Sequence, residues 1–215
     1  MQDIVERFKA LDTAAVSDAM DKLGVECSAY RIKSIQYGYK ICGRAFTVHY
    51  VPCGAVRGTV GDFLDDVRPG EVIVIDNAGR DDCTVWGDIM SKTAVERGIE
   101  GTVIDGVCRD IPGAIESGYP IFSKGYYMRT GKDRVRVDAV NVPVTLGGIP
   151  VCPGDIILGD DSGVVVVPDS MAEKAAEIAE YIEQQEKKII SFVKGGCTLK
   201  EARVKTGYHQ LQSKQ

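Results

Sequence analysis

The pattern of apolar and polar positions predicts alternating helices and strands in the first 125 residues. Residues 1–24 place apolar side chains at helical spacing and end at Gly24, which predicts a helix. Two apolar runs, 71–76 and 102–105, predict buried strands. Each run is followed by a helical pattern, and a third strand follows, so the order is β-α-β-α-β. That order is typical of a parallel sheet with crossover helices. The other elements predicted here are a strand at 44–51, a short helix at 59–66, a loop at 77–86, a helix at 87–97, a helix from 112 and a strand at 120–123.

Beyond Gly125 the pattern changes to short strands separated by Gly-Gly, Pro-Gly and Asp-Asp-Ser-Gly turns, which predicts an antiparallel β portion. A last helix is predicted at 170–193, because this stretch contains neither Gly nor Pro and is followed by Gly195-Gly196. A polar tail, 196–215, follows. Since no repeat or low-complexity linker divides the chain, we expect one α/β domain over residues 1–215 with a mixed sheet.

Composition and charge narrow the classes of function. The net charge is −5 and the isoelectric point is near 5.2, which argues against a nucleic-acid partner. No apolar run is long enough to span a membrane, so no membrane partner is expected either. No CxxC pair and no signal peptide are evident, so reduced thiols and a cytoplasmic location are expected. The seven cysteines are Cys27, Cys42, Cys53, Cys83, Cys108, Cys152 and Cys197.

Histidine is scarce, which limits two kinds of catalytic site. The chain has only His49 and His209. The sequence therefore disfavours a histidine-rich metal centre and a Ser-His-Asp triad.

The loops after the two buried strands carry the candidate chemistry. In open α/β sheets, ligands bind beyond the carboxyl ends of the strands. Loop 77–86 opens a helix near Gly87-Asp88, and the loop after 102–105 carries the adjacent pair Arg109-Asp110. Because both loops leave parallel strands in the same direction, we expect them to face one another across one crevice.

Each part of this crevice suits an anionic keto acid. The first turn of the helix offers unpaired N–H groups to a carboxylate, and its residues are Gly87, Asp88, Ile89 and Met90. Arg109 offers a planar, permanently charged fork for a carboxylate or an enolate oxygen. Asp110 offers a hard oxygen ligand, and one protein carboxylate completed by waters and substrate is a common way to hold Mg²⁺.

The residues alone leave structural alternatives open. Asp110 precedes Ile111-Pro112 and could cap the next helix. Asp88 could stabilise the N-terminus of its own helix, and Arg109 could form an ordinary surface ion pair.

Several blocks of sequence resemble one known family. They are Asp88 followed after twenty residues by Arg109-Asp110, LDTAAVSDAMDKLG (11–24), GRAFTV (43–48), RPGEVIVID (68–76), VIDGVCRD (103–110) and NVPVTLGGIPVCPGDIILGDDSGVVVVP (141–168). In this order they resemble the RraA-like family over about residues 10–195. That family includes class II 4-hydroxy-4-methyl-2-oxoglutarate/4-carboxy-4-hydroxy-2-oxoadipate aldolases and the RraA regulators of ribonuclease E.

The resemblance implies a β/β/α swivelling-type fold that assembles as a homotrimer or homohexamer. It implies a lyase that needs Mg²⁺, Mn²⁺ or another divalent cation, cleaves a 4-hydroxy-2-oxo acid to pyruvate by retro-aldol chemistry, and can decarboxylate oxaloacetate. By position, residues 87–90 and Arg109 would contact the keto acid, Asp110 would bind the metal, and Asp88, where the family carries Asp or Glu, is a candidate base. Lys92 lies a turn into the helix, so no lysine of these loops is placed for a Schiff base. The alternative that the resemblance leaves open is a protein-binding regulator of the RraA type without significant catalysis.

One further carboxylate comes from the last helix. Glu186 interrupts an apolar stripe, four residues after Ile182 and four before Ile190. The family places a glutamate on its C-terminal helix, and Glu186 is the best positional match for a catalytic residue that reaches a neighbouring subunit's site. The other interpretation is that the packed face of the helix ends early. The segment 125–136 departs from the Pro/Gly-rich segment of typical aldolases. The resemblance therefore does not define the distal half of the substrate.

Overall fold

The structure, a computed structural model, describes residues 3–55 and 58–207. The strands are β1 Lys33–Ser34, β2 Ile41–Pro52, β3 Val72–Thr84, β4 Gly101–Cys108, β5 Ile121–Tyr126, β6 Val135–Val140, β7 Val144–Leu146, β8 Ile149–Val151, β9 Ile156–Asp160 and β10 Gly163–Val167. The helices are α1 Ile4–Lys9, α2 Thr13–Lys22, α3 Asp88–Glu96, α4 Ile111–Glu116, α5 Ala172–Lys194 and α6 Leu199–Thr206. Short 3-10 helices lie at Asp62–Asp66 and Asp169–Met171.

The sheet is mixed, as the sequence predicts. Its strand order is β1-β5-β4-β3-β2-β9-β10, with β6 also paired to β2. The four strands β2, β3, β4 and β5 are parallel neighbours, and α3 and α4 are two of their crossovers. The strands β1, β6, β9 and β10 pair antiparallel, and β7 and β8 form a separate hairpin. The predicted α/β class with a parallel part and an antiparallel part is therefore confirmed.

The parallel strands are buried on both faces, which explains their unbroken apolar runs. Ile73 and Ile104 face the helices α3 and α4. Val72 and Val103 face the opposite way, in a cluster with residues of the β7–β8 hairpin such as Leu146. A third cluster lies beneath α1, α2 and α5 at the antiparallel end of the sheet.

The loop predicted at 77–86 is wrong, because β3 continues to Thr84. Positive φ angles at Ala78 (53°) and Gly79 (68°) break the register after Asp76, and pairing with β4 resumes at Arg80. The polar residues therefore lie in a bulged continuation of the strand.

Other elements also differ from the predictions. The helix predicted at 1–24 is two helices, because the Asp12 side chain accepts the Ala15 N–H and starts α2. The short helix predicted at 59–66 covers only Asp62–Asp66. The tail 196–215 contains α6, and His209 in that tail lies outside the described residues.

Two general features complete the fold. All seven cysteines are free thiols. No helix in the described part of the chain is both long and apolar enough to cross a membrane.

Candidate active site

The ends of β3 and β4 bring the two predicted loops into contact. Beyond β3 the chain passes through Trp86 and Gly87 into α3, and beyond β4 it passes through Arg109 and Asp110 into α4. The Arg109 N–H donates to the Trp86 carbonyl at 3.0 Å, so a backbone hydrogen bond joins the loops directly. The expected crevice therefore exists at the carboxyl edge of the parallel strands.

This crevice is a cleft of about 440 Å³. All six residues that the sequence predicts for its loops line it: Gly87, Asp88, Ile89, Met90, Arg109 and Asp110. The structure thus brings together an arginine, two carboxylates and a helix N-terminus.

The N-terminus of α3 points its backbone into the cleft without a capping side chain. Gly87 occupies the N-cap position and cannot supply one. The first intrahelical hydrogen bond at this end joins the Ser91 N–H to the Gly87 carbonyl at 3.1 Å, so amides of the preceding turn have no acceptor within the helix. With the helix dipole, these amides form a site for an anion.

A buried network fixes this turn. The Trp86 Nε1 donates to the Ser91 Oγ at 3.0 Å, and that hydroxyl donates to the Gly87 carbonyl at 3.0 Å. The Trp86 ring stacks on Tyr119, with centroids 5.8 Å apart. Because Trp86 and Ser91 are fully buried, the amides are held on the core rather than on a mobile loop.

Asp110 lies at the N-cap position of α4, but its carboxylate does not cap that helix. Its backbone is left-handed, with φ 56° and ψ 40°, and its side chain makes no capping hydrogen bond. The carboxylate instead lies over Gly87: a Cβ built on Gly87 would be 2.7 Å from Asp110 Oδ2. The helix-cap interpretation of this side chain is therefore wrong, and the glycine leaves the space that the carboxylate uses.

Arg109 contributes its guanidinium to the same space. Its Nε lies 3.4 Å from Asp110 Oδ2, longer than a charge-assisted hydrogen bond, and both side chains stay partly exposed. This contact leaves donors of Arg109 and lone pairs of Asp110 open to a third group.

Asp88 has a partner on its own helix. Lys92 Nζ lies 3.0 Å from Asp88 Oδ2. The Lys92 ammonium lowers the pKa of Asp88, with smaller contributions from the Ile89 amide and Arg109. A lowered pKa keeps Asp88 ionised at neutral pH and makes it a weak proton acceptor. The same pairing occupies Lys92, the lysine nearest these loops in sequence.

Cys108 is excluded as a nucleophile. It is completely buried, and burial raises its pKa to about 11, so the thiol stays protonated at neutral pH.

The donor set of the cleft suits a hard cation that keeps most of its water. Within residues 3–55 and 58–207, no group of three or more His, Cys, Asp or Glu side chains could hold a metal ion. Asp110 is a single exposed carboxylate beside the open space above Gly87. A single carboxylate with room for waters and ligand oxygens fits Mg²⁺ or Mn²⁺ and does not fit a closed structural zinc site.

Glu186 does not line the cleft of its own chain. It lies in a separate groove with Asp12 and Glu183. Burial raises the pKa of Glu186, and the negative charges of Asp12, Asp18 and Glu183 raise it further. The residues of α5 that are buried are Ala172, Ala175, Ala176, Ala179, Ile182, Gln185 and Ile189. Gln185 rather than Glu186 therefore falls within the buried stripe, and Glu186 borders it.

The opposite wall of the cleft was not predicted. It comes from residues 58–61 and from Thr130 and Lys132. The Thr84 N–H donates to the Arg129 carbonyl at 2.9 Å, and Gly131 packs so tightly on the Thr84 carbonyl that a Cβ has no room there. These contacts join segments that are far apart in sequence. Within this wall, Gly131 is the residue whose type indicates such a close approach.

Comparisons with known proteins identify the family of the chain. The chain matches the RraA-like family, described as Aldolase/RraA, over residues 13–166. It is 34% identical over 179 residues to a candidate 4-hydroxy-4-methyl-2-oxoglutarate aldolase from Halalkalibacterium halodurans, covering 82% of each chain. It is 36% identical over 213 residues to protein DlpA of Legionella pneumophila, covering 98% of this chain but only about a third (35%) of that protein's length.

Solved structures show the same fold. A crystal structure of an uncharacterized protein from Pseudomonas syringae pv. tomato superposes with a TM-score of 0.88 at 44% identity, over 94% of this chain and 98% of that one. Streptomyces coelicolor RraAS2, an unusual member of the RNase ES inhibitor RraA protein family, superposes with a TM-score of 0.80 at 28% identity, over 87% of this chain and 95% of that one. The chain therefore belongs to the RraA-like family, in which aldolase names and ribonuclease-inhibitor names both occur.

Proposed function

We propose that this protein is a divalent-cation-dependent lyase that cleaves a 4-hydroxy-2-oxo acid, of the 4-hydroxy-4-methyl-2-oxoglutarate type, to pyruvate and a carbonyl compound. The observation that carries the proposal is the meeting of Arg109 and Asp110 with the uncapped N-terminus of α3. The aldolase names of relatives support the same reaction class.

The chain's own groups account for binding of the keto acid. The substrate carboxylate accepts hydrogen bonds from the first-turn amides of α3, which the Trp86–Ser91 network holds in place. Arg109 contacts the 2-oxo group or the carboxylate with its remaining donors. These contacts orient the bond between C3 and C4 for cleavage.

Arg109 also stabilises the transition state. When the C3–C4 bond breaks, the electron pair moves onto the pyruvate part as an enolate, and the guanidinium lies where that negative charge develops. A divalent cation held by Asp110 supplies additional positive charge at this position when it is bound. Decarboxylation of oxaloacetate generates the same enolate, so we propose it as a second activity.

Proton transfer from the C4 hydroxyl has two candidate bases. Asp88 lines the cleft, but its lowered pKa makes it weak. Glu186 has a raised pKa, which suits a base better, but it lies outside its own cleft. We propose that Glu186 acts across a subunit boundary in a homotrimer or homohexamer.

Mixed oligomers test this shared site. Arg109→Ala and Glu186→Gln should each lower pyruvate release by roughly 100-fold or more, the usual range for loss of a charge-stabilising or proton-transfer group. Hetero-oligomers assembled from both variants should regain activity, because some sites then combine a native Arg109 with a native Glu186. A mixture of Arg109→Ala with Asp110→Asn is the control and should stay inactive. Full activity of Glu186→Gln alone would show that Glu186 only ends the packed face of α5.

The competing function is that of a protein-binding regulator, which the similarity to RraAS2 favours. A coupled pyruvate assay with and without EDTA separates the two functions. The lyase predicts pyruvate release that EDTA abolishes and Mg²⁺ or Mn²⁺ restores. If no keto acid of the aldol or β-keto class releases pyruvate at any cation concentration, the lyase proposal fails and the regulator is favoured.

A further inference from the structure

Arg109 and Asp110 also border a second depression. This outer pocket, of about 420 Å³, is lined by these two residues and by Ile111, Pro112, Tyr126, Tyr127 and Met128. A molecule held at Arg109 and Asp110 therefore has a second direction in which to extend.

The walls of the outer pocket are apolar and aromatic. Tyr126 is 73% exposed and Met128 is 75% exposed. Among the described residues that line the pocket, Arg109 is the only cation. Exposed apolar surface that adjoins a polar site marks a place where a ligand or partner is bound.

The aromatic wall is held in position before any ligand binds. Tyr126 ends β5 in register with Cys108, and the Tyr127 N–H donates to the Cys108 carbonyl at 2.9 Å. Further along, the Arg129 carbonyl accepts the Thr84 N–H at 2.9 Å. Hydrogen bonds on both sides of Met128 thus fix the wall to β3 and β4. Ligand binding therefore costs little conformational entropy at this wall.

A C4 substituent of a substrate held at Arg109 that extended into the outer pocket would meet these walls. A second carboxylate in the outer pocket would lose water without gaining a cation there, since Arg109 already serves the keto acid and Lys132 lines the cleft instead. A phenyl or branched alkyl group would bury apolar surface against Met128 and stack on the tyrosines.

We infer that the outer pocket selects 4-hydroxy-2-oxo acids with one carboxylate and an apolar, preferably aromatic, group at C4. The inference rests on the proposed lyase function and specifies its substrate class. With a phenyl group at C4, the hydroxyl proton leaves, the C3–C4 bond breaks, C4 becomes the carbonyl carbon of benzaldehyde, and C3 gains a proton to give pyruvate. No oxidant or reductant is required.

The first test measures binding without catalysis. Isothermal titration calorimetry in the presence of Mg²⁺ compares the affinities of two ligands. They are 2-oxo-4-phenylbutanoate, which lacks the hydroxyl needed for cleavage, and 2-oxoglutarate. We expect the phenyl compound to bind about ten-fold more tightly, as burial of part of a phenyl ring provides. Met128→Lys should remove or reverse this preference. The matched control is Val95→Lys, on the exposed side of α3 away from both pockets, which should leave the preference unchanged.

The second test measures pyruvate release from 4-hydroxy-2-oxo-4-phenylbutanoate and from 4-hydroxy-4-methyl-2-oxoglutarate. We expect kcat/KM to favour the phenyl compound by about ten-fold or more, for the same reason. Preference for the dicarboxylate in both tests would overturn the inference and leave the lyase function intact. If neither substrate releases pyruvate, both the lyase function and the inference are wrong. If Met128→Lys dissociates an oligomer in sedimentation and leaves the preference unchanged, a second copy occupies the pocket and the inference is wrong.

Discussion

Asp105 and Asp110 lie five residues apart, one inside β4 and one just beyond its end, yet their carboxylates have opposite surroundings. Asp105 is 5% exposed, accepts the Gly147 N–H at 3.1 Å and forms an ion pair with Lys124. Asp110 makes no capping hydrogen bond with its side chain, and its charged contact among the described residues is Arg109, at 3.4 Å. A carboxylate that accepts hydrogen bonds from the protein stabilises the fold, as Asp105 does. A carboxylate without such partners, as in Asp110, is available to a ligand.

The same contrast extends along the neighbouring strand. Asp76, in register with Asp105, accepts the Thr145 N–H at 2.9 Å, so both strand aspartates attach the β7–β8 hairpin to the sheet. Asp88, beyond the end of β3, pairs with Lys92 on its own helix. The register-matched pair Asp76 and Asp105 inside the parallel strands is thus structural, whereas Asp88 and Asp110, just past the strand ends, line the cleft.

The largest effect on the site, without a matching effect on stability, is expected from filling the space above Gly87. The Cβ of Gly87→Ala would displace the flexible end of Asp110, which costs little stability. We expect pyruvate release to fall by about 10- to 100-fold, as for a misplaced charge-stabilising group, with an unchanged melting temperature. The control is Gly54→Ala, outside the cleft lining, whose Cβ would meet no other atom within 4 Å. Equal activity of the two variants would contradict the assigned position of the Asp110 carboxylate.

Asp105→Asn should instead lower stability. The substitution removes the partner of Lys124 at a buried position, and we expect the free energy of unfolding to fall by about 2 kcal/mol. Activity per folded molecule should be retained. Urea unfolding measures the difference, with the exposed Asp81→Asn as the control. Loss of activity without loss of stability would place Asp105 in the site and remove the distinction.

Much of the fold was predictable because its strands are buried on both faces and read as unbroken apolar runs, as at 71–76. The continuation of β3 to Thr84 was not, because its bulged part carries polar residues with no strand periodicity. Helix α6 was missed although its sequence contains a signal: Thr198 and Glu201 form a capping box.

The candidate site was predictable on one wall only. Residues 87–90 and 109–110 follow strand ends, and the geometry of parallel sheets brings such ends to one edge. The wall formed by Thr130 and Lys132 depends on hydrogen bonds between segments far apart in sequence, which local patterns do not encode. In the proposed oligomer, the position of Glu186 relative to a cleft depends on a second subunit, and spacing within one chain carries no information about it.

The smallest expected effect concerns Glu186 and pH. Because its pKa is raised in the folded state, its contribution to stability is fully present below the ordinary pKa of glutamate and is lost as pH rises through the folded-state value. Glu186→Gln should therefore be more stable than wild type near pH 7, by less than about 0.5 kcal/mol, and the difference should vanish in acid. Thermal melts between pH 4 and pH 8 measure it, with Glu96→Gln as the control. A variant less stable than wild type at pH 7 would contradict the acidic surroundings assigned to this residue.

The most direct test of the contrast between the two aspartates is Mn²⁺ binding followed by electron paramagnetic resonance. The account predicts that wild type binds Mn²⁺, that Asp110→Asn weakens binding by about ten-fold or more, as expected for removal of the one protein carboxylate ligand, and that Asp105→Asn leaves it unchanged. Unchanged Mn²⁺ affinity in Asp110→Asn, or a loss confined to Asp105→Asn, would contradict it.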